Sequence, residues 1–231
     1  MSPRRRPLCL IKMKKSYTHV IWDFNGTILD DVQAGIDSIN VMLWERALPV
    51  LTVERYREIF DFPVEEYYRR VGFDFEKEDY RTCLAPLWVR LYVQHSHRVR
   101  LYPDVEPLAH ALREAGMAQS ILSTSEVEMM RAQLRQHGAL LWFDEVWGNE
   151  SIHAYGKSAV AAAWRRAHPS ARAVMLGDTT HDFEIAREIG ADCILVAAGH
   201  HSRERLERCG VPVVDRLSDC LPFLLGEAHN I

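Results

Sequence analysis

The sequence predicts an α/β protein: a three-layer, Rossmann-like core on a parallel sheet, plus an all-helical cap inserted after the first strand motif. Three observations carry this. Short apolar or β-branched runs alternate with segments of helical periodicity over most of the chain. One block, from Leu48 to His97, contains no convincing strand. Several of the predicted strands run directly into Asp or Ser, as they do where a parallel sheet presents its carboxyl ends to a ligand.

Taken in order, residues 1–15 open on Met1-Ser2-Pro3-Arg4-Arg5-Arg6 and read as a disordered N-terminal extension, because the apolar stretch from Leu8 to Ile11 is too short for a signal peptide. Thr18 to Asp23 is a β-branched strand ending in a carboxylate, and Phe24-Asn25-Gly26-Thr27 turns the chain. A helix starts near Asp30, with Val32, Ile36, Ile39, Leu43 and Trp44 at helical spacing and Asp30 and Asp31 placed to cap it. Short helices are expected around Tyr56 to Phe60 and from Val64 to Val71, then a longer one from Glu76 to His97, punctuated by Pro49, Pro63 and Gly72. The cap is therefore assigned to residues 31–98, and the core to 16–30 and 99–231.

Alternation then resumes. Helices are predicted over 103–114, 126–137, 157–167 and 182–189, the first and last stopped by Gly116 and Gly190. Strands are predicted over 118–122, 143–146, 171–176 and 193–197. Right-handed crossovers between such strands give a parallel sheet covered on both faces.

The bulk numbers narrow the function. With 231 residues the chain can bury a full core, and a net charge of -4 argues against a nucleic-acid partner. Five scattered cysteines without a C-x-x-C pair read as free thiols in a cytoplasmic protein. No apolar run reaches the length of a membrane span.

Four positions carry chemistry. Asp23, at a strand end before a glycine turn, is placed to attack phosphorus or ligate a cation; taken alone it is equally a turn residue. Gly177-Asp178-Thr179-Thr180-His181-Asp182 brackets a strand-to-helix turn with two carboxylates, oxygen ligands of the kind Mg²⁺ prefers; alone, they serve a turn and a helix start. Lys157 opens a helix where the dipole opposes a cation, so an anion nearby would account for it. Ser123, followed by Thr124 and Ser125, puts hydroxyls after another strand. Arg69, Arg70, Tyr56, Tyr67 and Tyr68 are candidate cap contacts. His200-His201 invites a transition-metal reading but lacks other soft ligands.

Together, in order and placement, these residues resemble the haloacid dehalogenase-like superfamily, in its phosphoglycolate-phosphatase-like branch with a helical cap. The resemblance runs from Thr18 to Leu225 and includes Gly199-His200-His201-Ser202-Arg203-Glu204-Arg205. It implies a Mg²⁺-dependent phosphatase acting on a small phosphorylated metabolite, as a monomer or homodimer. Asp23 would form an aspartyl-phosphate, Ser123 and Thr124 would hold phosphate oxygens, and Lys157 would neutralise charge between nucleophile and phosphoryl group. Asp23, Asp178, Asp182 and the backbone carbonyl of Asn25 would surround the metal.

Asn25 departs from that family. The relatives carry Asp there, which protonates the leaving oxygen and then activates water. Asn does neither, and the assistance lost is worth about 10²–10⁴-fold. Alkyl phosphates should suffer most, and aryl and acyl phosphates least. On this reading Asn25→Asp should raise alkyl-phosphate turnover selectively. The alternative is a phospho-ligand-binding or regulatory protein with negligible hydrolysis.

Overall fold

The computed structural model describes residues 17–150 and 156–226; the expected extension over 1–15 and Cys9 lie outside the described residues. In chain order, β1 (His19–Trp22) and the short β2 (Leu29–Asp30) lead into four helices, α1 (Val32–Glu45), α2 (Val53–Ile59), α3 (Val64–Arg70) and α4 (Ala85–His95). After β3 (Arg100–Leu101) come α5 (Val105–Glu114), β4 (Ala118–Glu126), α6 (Val127–Gln136), β5 (Glu145–Asn149) and α7 (Lys157–Ala167). The chain closes with β6 (Ala173–Gly177), α8 (Thr180–Glu188), β7 (Asp192–Val196), α9 (Arg203–Glu207), β8 (Val213–Val214) and α10 (Leu221–Leu225).

Among the described residues, six strands form one sheet in the order β5-β4-β1-β6-β7-β8, and all of its pairings are parallel. The chain walks outward from β1 in one direction, returns to β6 and walks outward in the other. That reversal leaves a crevice beyond the carboxyl ends of β1 and β6, the place where doubly wound sheets bind ligands.

Burial alternates along each inner strand, which builds the three layers. Val20, Trp22, Val174, Leu176, Ile194 and Val196 face one core with Leu108 and Leu112 of α5 and Leu134 of α6. Ile21, Met175, Cys193 and Leu195 face the other with Trp164 of α7 and Ile185 of α8. Period-2 side chains buried on both faces explain why these strands read as continuous apolar runs.

The helices between β2 and β3 have a third core of their own, including Ile36, Ile39, Leu43, Tyr56, Tyr67, Tyr68 and Phe73. β2 and β3 pair antiparallel, Leu29 opposite Leu101, so the chain enters and leaves this helical segment at one point. The predicted helix from Glu76 to His97 is shorter than expected. A π-turn spans Tyr80–Leu84, with the Asp79 side chain accepting from the Thr82 N–H at 2.7 Å, and α4 begins afresh with Pro86 in its first turn. Proline lacks an N–H and is accommodated where that N–H has no helical partner.

The two-residue strands β2, β3 and β8 are absent from the sequence reading because so few residues show no alternation. Among the described residues, no helix is long and apolar enough to cross a membrane, and Cys83, Cys193, Cys209 and Cys220 are free thiols.

Candidate active site

The site grows out of β1. Its last residue, Trp22, is level with Ile121 of β4 and Leu176 of β6, and the Asp23 N–H donates to the Leu176 carbonyl at 2.8 Å. The Asp23 carboxylate therefore leaves the sheet edge between β4, which carries Ser123 one residue past the regular pairing at Leu122, and the end of β6, where Asp178 follows. Gly26 then takes a left-handed conformation with φ +75°. A Cβ there would run into the Asp178 carboxylate and meet the His200 ring at 2.5 Å, so the turn demands glycine twice over.

Asp178 and Asp182 are fully buried. Asp178 Oδ1 accepts from the Thr27 hydroxyl at 3.0 Å and Oδ2 from the His200 N–H at 2.6 Å. Burial pushes its pKa up to about 6, with Asp182 adding to the rise and His200 opposing it. Asp182 has two jobs. Its Oδ2 accepts from the N–H groups of Asp178 (3.1 Å) and Thr179 (2.9 Å), completing a reciprocal cap with Thr179 at the start of α8. Its Oδ1 faces Lys157. A Cβ on Gly177 would collide with Asp182, which is why the chain turns on glycine there.

Lys157, the first residue of α7, is buried and bonds both Asp23 and Asp182. Burial works against its charge, but Asp182 and Asp23 outweigh that and hold the ammonium protonated. Burial, with Asp182 and Asp178 nearby, raises the Asp23 pKa even against Lys157. Burial also opposes ionisation of Asp182, yet Lys157 and Thr179 keep it below the usual carboxylate range. One ligand oxygen from each of Asp23, Asp178 and Asp182 lies within 4.8 Å of the others. Three buried hard-oxygen donors converge beside a single ammonium, and that donor set fits a cation such as Mg²⁺.

The opposite flank is built around Asn25 and Asp31. Asn25 Nδ2 donates to Asp31 Oδ2 at 2.6 Å and to the Tyr92 hydroxyl at 3.2 Å, while its Oδ1 accepts from the Ser125 hydroxyl at 2.9 Å. Asp31 also accepts from the Gly26 N–H (2.8 Å) and Tyr92 (2.7 Å), with His200 Nε2 at 3.5 Å. Burial disfavours its charge, but His200, Asn25 and Tyr92 together depress its pKa. Burial likewise opposes a charged His200, yet Asp31, Asp178 and Asp23 push it up to about 9.

The structure thus brings Asp23, Lys157, Asp178 and Asp182 together, with Asn25 on the same loop. The strand expected to stop at Leu122 runs on to Glu126, so Ser123 is buried within β4, where its register with β5 shifts. Its hydroxyl accepts from the Ser125 N–H at 3.1 Å, whereas Thr124 is exposed. Asp31 is not the helix cap expected of it: it occupies the cap position of α1 without a side-chain capping bond, because its carboxylate is committed to the loop after β1. Tyr67 and Tyr68 are buried in the helical core, Arg69 lies over Phe75, and Arg70 pairs with Asp61.

The adjacent histidines do not form a metal pair. His200 Nδ1 meets the Tyr56 hydroxyl at 2.8 Å, and buried His201 accepts from the Thr180 N–H at 3.1 Å, its pKa driven down to about 3 by burial and Arg205. Thr27, Asp31, Tyr92, Ser125 and His200 escaped the sequence reading as parts of this centre. The Asp31 hydrogen bonds to Gly26 and Asn25, five and six residues back, are the one local signal that could have found any of them.

Fold and site define a doubly wound α/β protein with a lysine-bridged carboxylate centre at its topological switch point. The chain belongs to the haloacid dehalogenase-like hydrolase family, whose model matches residues 20–196. It is similar to a phosphoglycolate phosphatase of Vibrio parahaemolyticus, with 23% identity over 90% of this chain and 96% of that protein. It is also similar to the tyrosine-protein kinase PtkA of Mycobacterium tuberculosis, with 27% identity over 84% of this chain and 67% of that one. Among solved structures, the haloacid dehalogenase-like hydrolase SP0104 of Streptococcus pneumoniae superimposes with a TM-score of 0.76. It is 19% identical, over 90% of this chain and 98% of that chain.

Proposed function

We propose that this chain is a Mg²⁺-dependent phosphatase that hydrolyses a small phosphorylated metabolite through an aspartyl-phosphate on Asp23. The observation that carries the reading is the buried cluster itself: Asp23 bonded to Lys157 beside Asp178 and Asp182, at the sheet's ligand edge. The phosphatase name of the Vibrio relative supports it.

In this reading an Asp23 carboxylate oxygen attacks phosphorus, the bond to the leaving oxygen breaks, and water then cleaves the acyl phosphate to release inorganic phosphate. Lys157 offsets charge between nucleophile and phosphoryl oxygens, and Ser123 and Thr124 hold those oxygens. Asp23, Asp178, Asp182 and the Asn25 carbonyl would hold Mg²⁺, which when bound draws electron density from the phosphoryl oxygens. Residues 31–98 serve as a cap over the centre and exclude water. The Arg57 guanidinium, donating to the Ala198 (2.7 Å) and Gly199 (2.9 Å) carbonyls, ties α2 to the loop after β7 and supports this. Asn25 supplies no proton, so leaving groups that depart unassisted, aryl and acyl phosphates, are the preferred substrates.

One observation favours a second reading, a phospho-ligand-binding protein with negligible hydrolysis: the Asn25 amide is bonded wholly within the protein and has no acid–base capacity. Steady-state release of phosphate from an aryl phosphate, an acyl phosphate and phosphoglycolate separates the two. Mg²⁺-dependent turnover ranked aryl and acyl above phosphoglycolate, and lost in Asp23→Ala, is expected. Phosphate and Mg²⁺ binding without turnover on any of the three would install the second reading.

A further inference from the structure

Every polar atom of the Asn25 side chain is committed. An amide nitrogen carries two hydrogens, and Nδ2 spends them on Asp31 (2.6 Å) and Tyr92 (3.2 Å), while Oδ1 takes the Ser125 hydroxyl. Asp31 is 2% exposed, and its two oxygens accept from Asn25, Gly26 and Tyr92. Its partners come from three places: the nucleophile loop through Asn25 and Gly26, the helical segment through Tyr92 of α4, and the loop after β7 through His200. A buried carboxylate so placed needs donors on every side, and leaving one missing exposes it to the full cost of desolvation.

We propose that Asn25 and Asp31 form an exchangeable amide–carboxylate pair, in which Asp31 is the positioning residue that demands an N–H donor at position 25. The pair carries one negative charge wherever the carboxylate stands. The catalytic side of this inference rests on the reading of Asp23 as a nucleophile; the pairing itself does not.

Contrary to the expectation drawn from sequence, Asn25→Asp alone does not restore acid assistance. It sets two carboxylates at hydrogen-bond distance in a buried site where the Tyr92 hydroxyl, within reach of both, has a single hydrogen to give, and any proton captured there is held in that contact rather than offered to a leaving oxygen. The exchange, Asn25→Asp with Asp31→Asn, does restore it. The amide nitrogen then standing at position 31 takes the place of Oδ2 and donates to the new carboxylate and to the Tyr92 oxygen. The Tyr92 hydroxyl turns its hydrogen to the carboxylate now at position 25, and the amide oxygen, in the place of Oδ1, still accepts from Gly26. Asp31 accounts for the amide at position 25: the carboxylate it serves stands six residues further on.

The test is a four-variant cycle, wild type, Asn25→Asp, Asp31→Asn and the exchange, read first by thermal unfolding and then by alkyl- and aryl-phosphate turnover. Asn25→Asp should lower Tm by roughly 5–10 °C, and the exchange should recover most of that loss. Failure of Asn25→Asp to fold, with the exchange variant folded, is the same result in stronger form. In turnover, the exchange should exceed Asn25→Asp on alkyl phosphates by about 10²-fold, a change in substrate ratio that a purely structural role would not produce. An exchange variant no more stable than Asn25→Asp, or Asn25→Asp alone matching it on alkyl phosphates, overturns the proposal. The Tm cycle needs no turnover, so a wild-type protein that hydrolyses nothing would defeat the proposed function and still leave the pair judged.

Discussion

On one flank of Asp23 the charge of buried carboxylates is met by a single long side chain: Lys157 reaches from the start of α7 to both Asp23 and Asp182. On the other flank no lysine stands among the described residues. There Asp31 is met by an amide, a backbone N–H, a phenol and an imidazole, drawn from three separate stretches of chain. The first arrangement concentrates charge at the carboxyl ends of β1 and β6. The second spreads hydrogen bonds and keeps the neutral Asn25 side chain on the loop after β1. Concentrated charge is vulnerable to one substitution, whereas distributed bonding loses its parts one at a time.

That contrast orders the expected effects. Lys157→Ala should be the most severe. It removes an unfavourable cation at a helix start, worth about 0.3–1 kcal/mol, but breaks a buried ion cluster, worth about 3–5 kcal/mol. The net is a clear loss of Tm in the metal-free protein, partly recovered on adding Mg²⁺, with turnover down by about 10²–10³-fold. A variant as stable as wild type without metal would mean that the two flanks are not different in kind.

A middle-sized effect concerns His200. Its pKa is raised in the fold to about 9 from 6.5, so its contribution to stability is complete below pH 6.5 and is lost as pH rises through 9. Unfolding of the metal-free protein followed from pH 6.5 to 9 should show Tm falling, and His200→Gln should flatten that slope. A slope unchanged in the variant would remove the imidazolium from the Asp31 flank. Tyr92→Phe should be the mildest, because it takes one donor from Asp31 and the longer of the two Asn25 Nδ2 bonds, and leaves the Asn25–Asp31 bond in place. A loss of about 1.5–3 kcal/mol by denaturant unfolding is expected, and a loss as large as that of Lys157→Ala would erase the contrast.

Much of the architecture was legible because it is local. The β1, β4, β6 and β7 runs are buried on both faces, and Asp23 and Asp178 follow the strands that place them, while Ser123 lies within a β4 that runs further than its apolar residues suggest. Asp182 was legible twice, as a helix-start residue and as a ligand candidate, and the geometry gives it the capping bonds and the contact with Lys157 together. The Asn25 flank was not legible. Tyr92 lies 61 residues from Asp31 and Ser125 lies 100 from Asn25, separations at which no periodicity or spacing links one side chain to another. Asp31 was misread for a physical reason. An acidic residue before a helix is usually its cap, and only the folded loop reveals a competing set of donors.

Asp182 also bears on how the molecule holds its shape near the site. The oxygen that caps α8 and the oxygen that faces Lys157 belong to one planar group, so neither can turn without the other. The first turn of α8 is thereby geared to α7: fraying of one helix end withdraws a partner from the other, and whatever anchors Lys157 also winds the helix that follows Asp178.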